Sequence, residues 1–435
     1  MDSLAESLGN WRITKYSTEI GKEDYDKELT VGGWIHDIRN LGGIAFILLR
    51  DREGIIQVTA IKKMLGKDSF QKITTLPRES VIMVKGEVKH NKEVKSGFEI
   101  LPKEFKILSV ANIPLPLGVA DKVGADLDTR LDFRFMDIRK QEIADIFKMR
   151  SVMSKAVREQ LEKEKFIEIH TPKIVATATE GGANLFKIKY FERDAYLNQS
   201  PQLYKQLMIA AGFDRVYEIG PAFRAEEHNT VRHLNEFISI DIEMAFADEE
   251  DAMGVLERVI ANTITHTKNM ENSRIKEVNL PFPRIEYTKC VEIAKSKGVD
   301  IKWGEDISME ASKIIAEENK SFYFITKWPT ELKPFYVMPF EGDEKVCRGF
   351  DLMFAEKEIT SGAQRVHDPD LLKERIKKQG LNAEQFKFYT RGFEYGMPPH
   401  AGWGLGMERL VMILTDAQNI RECVLFPRDR TRLVP

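Results

Sequence analysis

The stretch Gly220-Pro-Ala-Phe-Arg-Ala-Glu-Glu-His-Asn229 carries Arg224 and Glu226, and far downstream Gly404-Leu-Gly-Met-Glu-Arg409 places a second arginine at the mouth of a helix. Together they read as a site that activates a nucleotide without a P-loop. No G-x-x-x-x-G-K-[ST] occurs, and the glycines Gly404 and Gly406 open into Met407-Glu-Arg-Leu-Val-Met-Ile-Leu414 rather than into a dinucleotide-binding unit. A triphosphate therefore has to be held by arginines and metal. Phe350-Asp-Leu-Met-Phe354 and Glu358-Ile-Thr-Ser-Gly-Ala-Gln-Arg365 read as a hairpin that brings Asp351 and Glu358 together. With the Ser361 hydroxyl they are hard oxygen ligands of the kind Mg²⁺ takes when phosphate supplies the rest; alone, such a hairpin is a solvated acidic turn. Arg365 adds a cation able to grip a carboxylate through two nitrogens. Arg409 falls in the first turn of its helix, where a cation opposes the dipole, so it is expected to be held there for an anion or a purine face.

These groups need elements to position them. Arg215 to Glu226 reads as a strand, and Glu236-Phe-Ile-Ser-Ile-Asp-Ile-Glu-Met244 as its antiparallel return. Strand parity puts Ile238, Ile240, Ile242 and Met244 on one face and Ser239, Asp241 and Glu243 on the other. Glu218, Arg224 and Glu226 share a parity too, so charge gathers on one sheet face, as a polar site or as a solvated salt-bridge surface. Ser200-Pro-Gln-Leu-Tyr-Lys-Gln-Leu-Met-Ile-Ala-Ala-Gly212 has a serine N-cap, proline at the first helical position and a closing glycine. Gln202 and Lys205 then share a helix face near the positive end of the dipole, where a carboxylate is welcome, although a lysine there is equally a solvated surface group. His400, in Met397-Pro-Pro-His-Ala-Gly402, reads by itself as a satisfied loop histidine.

Before this body, Leu29–Ile35, Ala45–Arg50, Gly54–Thr59, Val81–Lys85 and Gly97–Leu101 are short β-rich runs broken by turns, which fits a small OB-type barrel over residues 1–109. From 110 to 130 the composition turns to proline, glycine and acidic residues, as in a linker, and 131–435 reads as an α+β body. In that body Ile143, Ile146, Phe147, Met153, Val157 and Leu161 recur at helical spacing, so Gln141–Glu164 is expected to be a long helix, its stripe facing either core or a second subunit. A net charge of −3 argues against a nonspecific nucleic-acid coat, so any nucleic-acid partner is read by a local surface. Cys290, Cys347 and Cys423 form no C-x-x-C pair and are expected to be packing residues. With no signal peptide or spanning run in the sequence, a cytosolic protein is expected.

At these residues the chain resembles a class II aminoacyl-tRNA synthetase of the aspartyl, archaeal type, over essentially its whole length. Phe223-Arg-x-Glu226 is similar to the class's second motif, Gly404-x-Gly-x-Glu-Arg409 to its third, and the helix ending near Pro172 to its first, which in the family builds a homodimer. Gln199-Ser-Pro-Gln-Leu-Tyr-Lys205 lies between them. The resemblance implies that Arg224 holds the α-phosphate and the substrate carboxylate. Glu226, Arg232, His233, Leu234, Glu358, Gly406 and Glu408 would meet ATP, and Arg409 would stack on adenine. Asp351, Glu358 and Ser361 match its Mg²⁺ positions, and Glu180 with Asp241 those receiving the substrate ammonium. Gln202, Lys205, Ser361, Arg365 and His400 fall at the aspartate pocket. In the barrel, Phe46 and Gln57 match residues that read the central anticodon base, and His36 with Lys95 those near the third.

The implied activity is ATP-dependent activation of L-aspartate and transfer to the 3′ end of aspartate tRNA. Two cations, Lys205 and Arg365, in one small pocket favour aspartate over neutral asparagine, which would leave a desolvated charge uncompensated. An asparaginyl enzyme of the same fold and a tRNA-independent, amide-forming paralogue are the competing readings. In the terms of that family His36 leans toward strict charging of aspartate tRNA and Lys95 toward charging asparagine tRNA as well, and strict charging is expected.

Overall fold

The five β-rich runs become the strands Glu28–Asn40 (β1), Ile44–Arg50 (β2), Ile55–Ile61 (β3), Val81–His90 (β4) and Phe98–Ser109 (β5), closed into a barrel in the order β1-β2-β3-β5-β4. The computed structural model describes residues 5–120, 124–176, 185–227 and 230–435. Alternation sends Ala45, Ile47 and Leu49 of β2 and Ile56 and Val58 of β3 into the barrel core. The intervening Phe46, Leu48 and Gln57 stay half-buried on the outer face. The first of two compact units runs to Ile143. It includes a short helix, Leu127–Asp132, that starts inside the stretch expected to be a linker; Asp126 caps it by accepting from the Thr129 N–H.

The second unit, Ala144–Pro435, is organised by an eight-stranded sheet. Its strands are Ile167–Glu168 (β6), Arg215–Phe223 (β7), Glu236–Ala245 (β8), Arg284–Glu286 (β9), Phe322–Thr326 (β10), Gly349–Phe354 (β11), Lys357–Gln364 (β12) and His400–Gly406 (β13), in the order β9-β10-β11-β12-β13-β8-β7-β6. The inner pairings are antiparallel and the two edge pairings parallel. The long helix Gln141–Lys163 (α1) forms as its periodicity predicts. Its Ile146, Met149, Met153, Val157 and Leu161 are buried in a core shared with Ile240, Ile242 and Met244 of β8 and with helix Glu249–Thr267. The chain itself thus covers the apolar stripe of α1. Ser239, Asp241 and Glu243 point the other way, as parity requires, and that sheet face carries the site.

Candidate active site

The predicted strand is shorter than expected: β7 stops at Phe223, and Arg224 and Glu226 lie just past its end. Arg224 is fixed through its backbone, its N–H donating to Asn235 O (3.0 Å) and its carbonyl accepting from Asn235 Nδ2 (2.7 Å). Its guanidinium stacks over Phe237 at 5.4 Å and has no ion-pair partner among the described residues. A half-exposed arginine aimed into a cleft with its charge uncommitted is suited to bind an anion. The cleft, about 300 Å³, is lined by Gln202, Arg224, Glu226, Arg232, His233, Leu234, Asp241, Glu358, Ser361, Arg365, Gly404, Gly406 and Arg409, which the sequence had singled out. Arg409 lies in the first turn of helix Met407–Thr415, donates to Glu358 O (3.0 Å) and lies 3.6 Å from Glu358 Oε1. Desolvation and the Arg409 charge push the His233 imidazole below its usual range, so at neutral pH His233 meets a ligand as an uncharged ring.

The floor differs from expectation. Lys205, on helix Gln202–Ala210, does not line the cleft; it is buried beneath Asp241, donating to Asp241 Oδ1 (2.9 Å) and Trp403 O (3.2 Å), with Glu243 Oε2 at 3.5 Å. Arg365 grips Glu243 through Nε (2.9 Å) and Nη2 (3.3 Å). Two cations are therefore balanced by two carboxylates, and the surplus of positive charge inferred from Lys205 and Arg365 alone is not there. Burial raises the Glu243 carboxyl, but Arg365 and Lys205 more than reverse this and hold it below its ordinary value. Glycines make the packing possible. A Cβ at Gly402 would fall on Ile242 O and the Glu243 carboxylate, and one at Gly404 would lie 3.0 Å from Asp241 Oδ1.

His400 is a buried strand residue rather than a loop residue and lies behind the cleft wall. Its Nδ1 faces Pro398 O at 2.8 Å, so Nδ1 carries the proton and Nε2 accepts from Gln206 Nε2 (2.8 Å). Gln206 Oε1 in turn accepts from Gln202 Nε2 and the Tyr389 hydroxyl, both at 2.9 Å. Burial brings the His400 pKa down to about 4, which keeps it neutral. Through Gln206 it supports Gln202, and it is not among the residues that line the cleft. Pro201, not Ser200, is the cap residue of that helix; the Ser200 hydroxyl accepts a long bond from the Gln202 N–H (3.4 Å), and Gly212 closes the turn at φ +90°.

Glu408 borders the cleft, and its buried carboxylate also accepts from the Ile238 N–H (3.2 and 3.1 Å) and pairs with Arg150 of α1 at 2.7 Å, so it braces the sheet as well. Glu218 is turned to Thr171 and Lys173, the latter at 2.6 Å, away from Arg224. Glu180 lies outside the described residues.

Asp351 of β11 pairs in register with Ser361 of β12, and the hairpin forms as read. Asp351 opens onto a neighbouring cleft of about 350 Å³ that shares Glu358 and Arg409 with the first. Both its oxygens accept from Lys333 Nζ, at 2.9 and 2.6 Å. Desolvation, then the Asp351 charge, raises the Glu358 carboxyl even though half of that side chain is exposed (50%). Two carboxylates that repel each other beside a hydroxyl are a donor set that fits a hard divalent cation. Among the described residues no three His, Cys, Asp or Glu side chains gather into a cage, so phosphate oxygens and water would complete the shell. Lys333, Tyr336 and Phe237 line the cleft without having been picked out. Lys333 and Tyr336 lie in an irregular segment with no periodicity to betray them, whereas Glu243, the clamp for Arg365, had its signal in strand parity.

In the barrel, Phe46 and Gln57 share the outer face: Phe46 lies opposite Thr59, and Leu48 opposite Gln57. Gln57 Nε2 is held by Thr59 Oγ1 (3.2 Å) and Glu99 Oε2 (3.1 Å). His36 occupies a bulge of β1, and its Nδ1 is engaged by Arg50 Nη1 at 3.2 Å. Lys95 is exposed in the turn between β4 and β5.

Residues 126–430 match the family model described as tRNA synthetases class II (D, K and N), and residues 29–108 match that of the OB-fold nucleic acid binding domain. The chain is 53% identical to the aspartate–tRNA(Asp/Asn) ligase of Methanococcus aeolicus, an alignment covering 99% of this chain and 100% of that one. It is 55% identical to the like-named ligase of Methanocaldococcus jannaschii, over 98% and 99% of the two chains. Among solved structures, asparaginyl-tRNA synthetase from Pyrococcus horikoshii with asparaginyl-adenylate superposes with a TM-score of 0.92 at 33% identity, covering 97% of this chain and 99% of that one.

Proposed function

The chain belongs to the class II tRNA synthetases of the D, K and N group, and from that premise we propose that it activates L-aspartate with ATP and charges both aspartate and asparagine tRNA. Aspartate ligation to tRNA rests on relatives that match end to end and carry that name. The observation that carries the amino-acid choice is the charge balance around the floor. Lys205 and Arg365 are matched by Asp241 and Glu243 at the floor itself, and Arg224 at its edge, without an ion-pair partner among the described residues, adds one uncompensated positive charge. Aspartate, with two carboxylates and one ammonium, brings one negative charge and neutralises the set; asparagine would leave it unbalanced in a desolvated site.

The aspartate α-carboxylate is already ionised at pH 7, so no general base is required. Its oxygen attacks the α-phosphorus of ATP, the bond to the β-phosphate oxygen breaks, and pyrophosphate leaves. Arg224 is placed to bind the charge that grows on the α-phosphate, with Arg409 and Arg232 around the rest of the chain and the neutral His233 as a hydrogen-bonding partner. Mg²⁺ at Asp351, Glu358 and Ser361 would neutralise phosphate charge, Lys333 having to release Asp351 to admit it. Asp241 is the group positioned for the substrate ammonium. In a second half-reaction the terminal adenosine's 3′-hydroxyl attacks the aspartyl carbonyl and AMP departs.

We favour relaxed tRNA recognition over the strict expectation because both relatives are named for the two tRNAs and because His36 is tied to Arg50 whereas Lys95 is exposed. A homodimer through the outer side of α1, where Phe147, Ser151 and Arg158 border a groove, follows the family expectation, and substrates of this kind place the enzyme in the cytoplasm. Among the described residues no helix is long and apolar enough to cross a membrane. ATP–pyrophosphate exchange with each amino acid separately, followed by charging of purified aspartate and asparagine tRNAs, tests the whole reading. Exchange with aspartate and charging of both tRNAs is expected; exchange with asparagine would overturn the charge argument, and failure on asparagine tRNA would restore strict recognition.

A further inference from the structure

We propose that the outer face of the barrel continues past Phe46 into a second nucleotide site, in which Ile44 and Ile61 floor an unpaired RNA base and Lys62, Lys63 and Lys67 each hold a phosphate of the backbone around it. The proposal rests on the tRNA-charging reading and adds a subsite to it. The register of β2 against β3 pairs Leu48 with Gln57, Phe46 with Thr59 and Ile44 with Ile61, so these three rows follow one another along the same outer face. Rows two residues apart on a strand are separated by about 6.7 Å, a step that suits successive bases of an unstacked strand.

Ile44 is 41% exposed, an aliphatic side chain without cover at the end of an otherwise well-packed strand. Beside it a cavity of about 580 Å³ is bounded by Gly43, Ile44, Ile61, Lys62, Lys63 and Lys67. Gly43 is not at positive φ, and a Cβ built there meets nothing within 4 Å, so the fold itself has no need of a glycine at that point. The three lysines are exposed, and none makes a side-chain hydrogen bond or ion pair among the described residues. Several other lysines of the barrel unit are engaged, Lys15 with Asp24, Lys72 with Glu6, Lys89 with Asp26 and Lys103 with Glu28, and what sets Lys62, Lys63 and Lys67 apart is that all three border one cavity. Three uncommitted ammonium groups around an apolar floor, continuous with an aromatic stacking residue, match what a single-stranded nucleic acid requires: a face for the base and cations for the backbone.

The test uses the full-length protein in three forms besides wild type: Lys62→Gln/Lys63→Gln/Lys67→Gln, Gly43→Leu, and Lys295→Gln/Lys297→Gln/Lys302→Gln as a control that removes the same charge elsewhere. KM for aspartate tRNA, Kd for an RNA hairpin carrying its anticodon loop, and ATP–pyrophosphate exchange are measured between 50 and 200 mM salt. The barrel triple variant is expected to raise KM and Kd about tenfold and to take about two off the slope of log Kd against log salt, for three lost phosphate contacts to a single strand. Gly43→Leu fills the cavity and should raise KM with the salt slope unchanged. Exchange, which needs no tRNA, should be unaltered in all forms. An unchanged KM in both barrel variants, or an equal rise in the control triple, overturns the proposal. Failure of wild type to charge any tRNA while still exchanging with aspartate overturns the parent reading, and this one with it.

Discussion

The floor of the cleft and its triphosphate wall use the same residue types in opposite ways. At the floor Lys205, Asp241, Glu243 and Arg365 are buried and paired with one another. At the wall Arg224, Arg232 and Arg409 are half-exposed, and the Arg224 guanidinium rests on a ring with no carboxylate partner among the described residues. Buried charges have to be compensated within the protein before a ligand arrives, since an unpaired ion in the interior costs several kcal/mol. Charges at a solvated rim can wait for their ligand. On the proposed reading, recognition of a small amino acid rests on charges the fold has already paired, whereas phosphate binding is left to groups that solvent still reaches.

Breaking the floor should do the most damage. Lys205→Met leaves Asp241 and Glu243 short of a cation, so unfolding free energy in urea should fall by about 3–5 kcal/mol. Aspartate-dependent exchange should vanish while ATP binding to the folded fraction persists; exchange at the wild-type rate would remove Lys205 from the site. Breaking the wall should leave the fold alone. Arg224→Ala is expected to lower the exchange rate roughly 10²- to 10³-fold, as for loss of one transition-state donor, with the melting temperature unchanged.

The contrast sharpens with pH. His400 titrates near 4 when folded against an ordinary value near 6.5, so the unfolded chain binds the extra proton in that window. Stability is full above about pH 6.5 and is lost as pH falls toward 4, by roughly 3 kcal/mol from this group. His400→Gln should flatten the urea midpoint against pH over that window; an unaltered profile would mean that His400 is not the titrating group. Arg409→Ala should have the smallest effect, a rise in KM for ATP of about two- to thirtyfold, from loss of a cation–π contact worth about 0.5–2 kcal/mol. A larger fall in kcat would show Arg409 acting on the reacting phosphate.

Much of the molecule was legible because it depends on near neighbours in the chain. Short β-rich runs broken by turns gave the barrel strands, period-two alternation gave the polar face of β8, and helical spacing gave α1 almost to the residue. The same local rules put Ser239, Asp241 and Glu243 on one side and placed Arg409 in the first turn of its helix, whereas the strand His400–Gly406 that precedes it reads as loop from the sequence alone. Partnership between charges was not legible. Lys205 meets Asp241 across 36 positions, Arg365 meets Glu243 across 122, and Gln206 meets His400 across 194. Lys333 closes on Asp351, and Glu408 on Arg150, from elements with no sequence pattern in common. The sequence by itself determined which residue types could reach the site face, because side-chain direction follows the period of the local backbone. Only the tertiary structure decided which of those charges stay open to a ligand and which are spent on each other, because pairing depends on distance and burial in three dimensions.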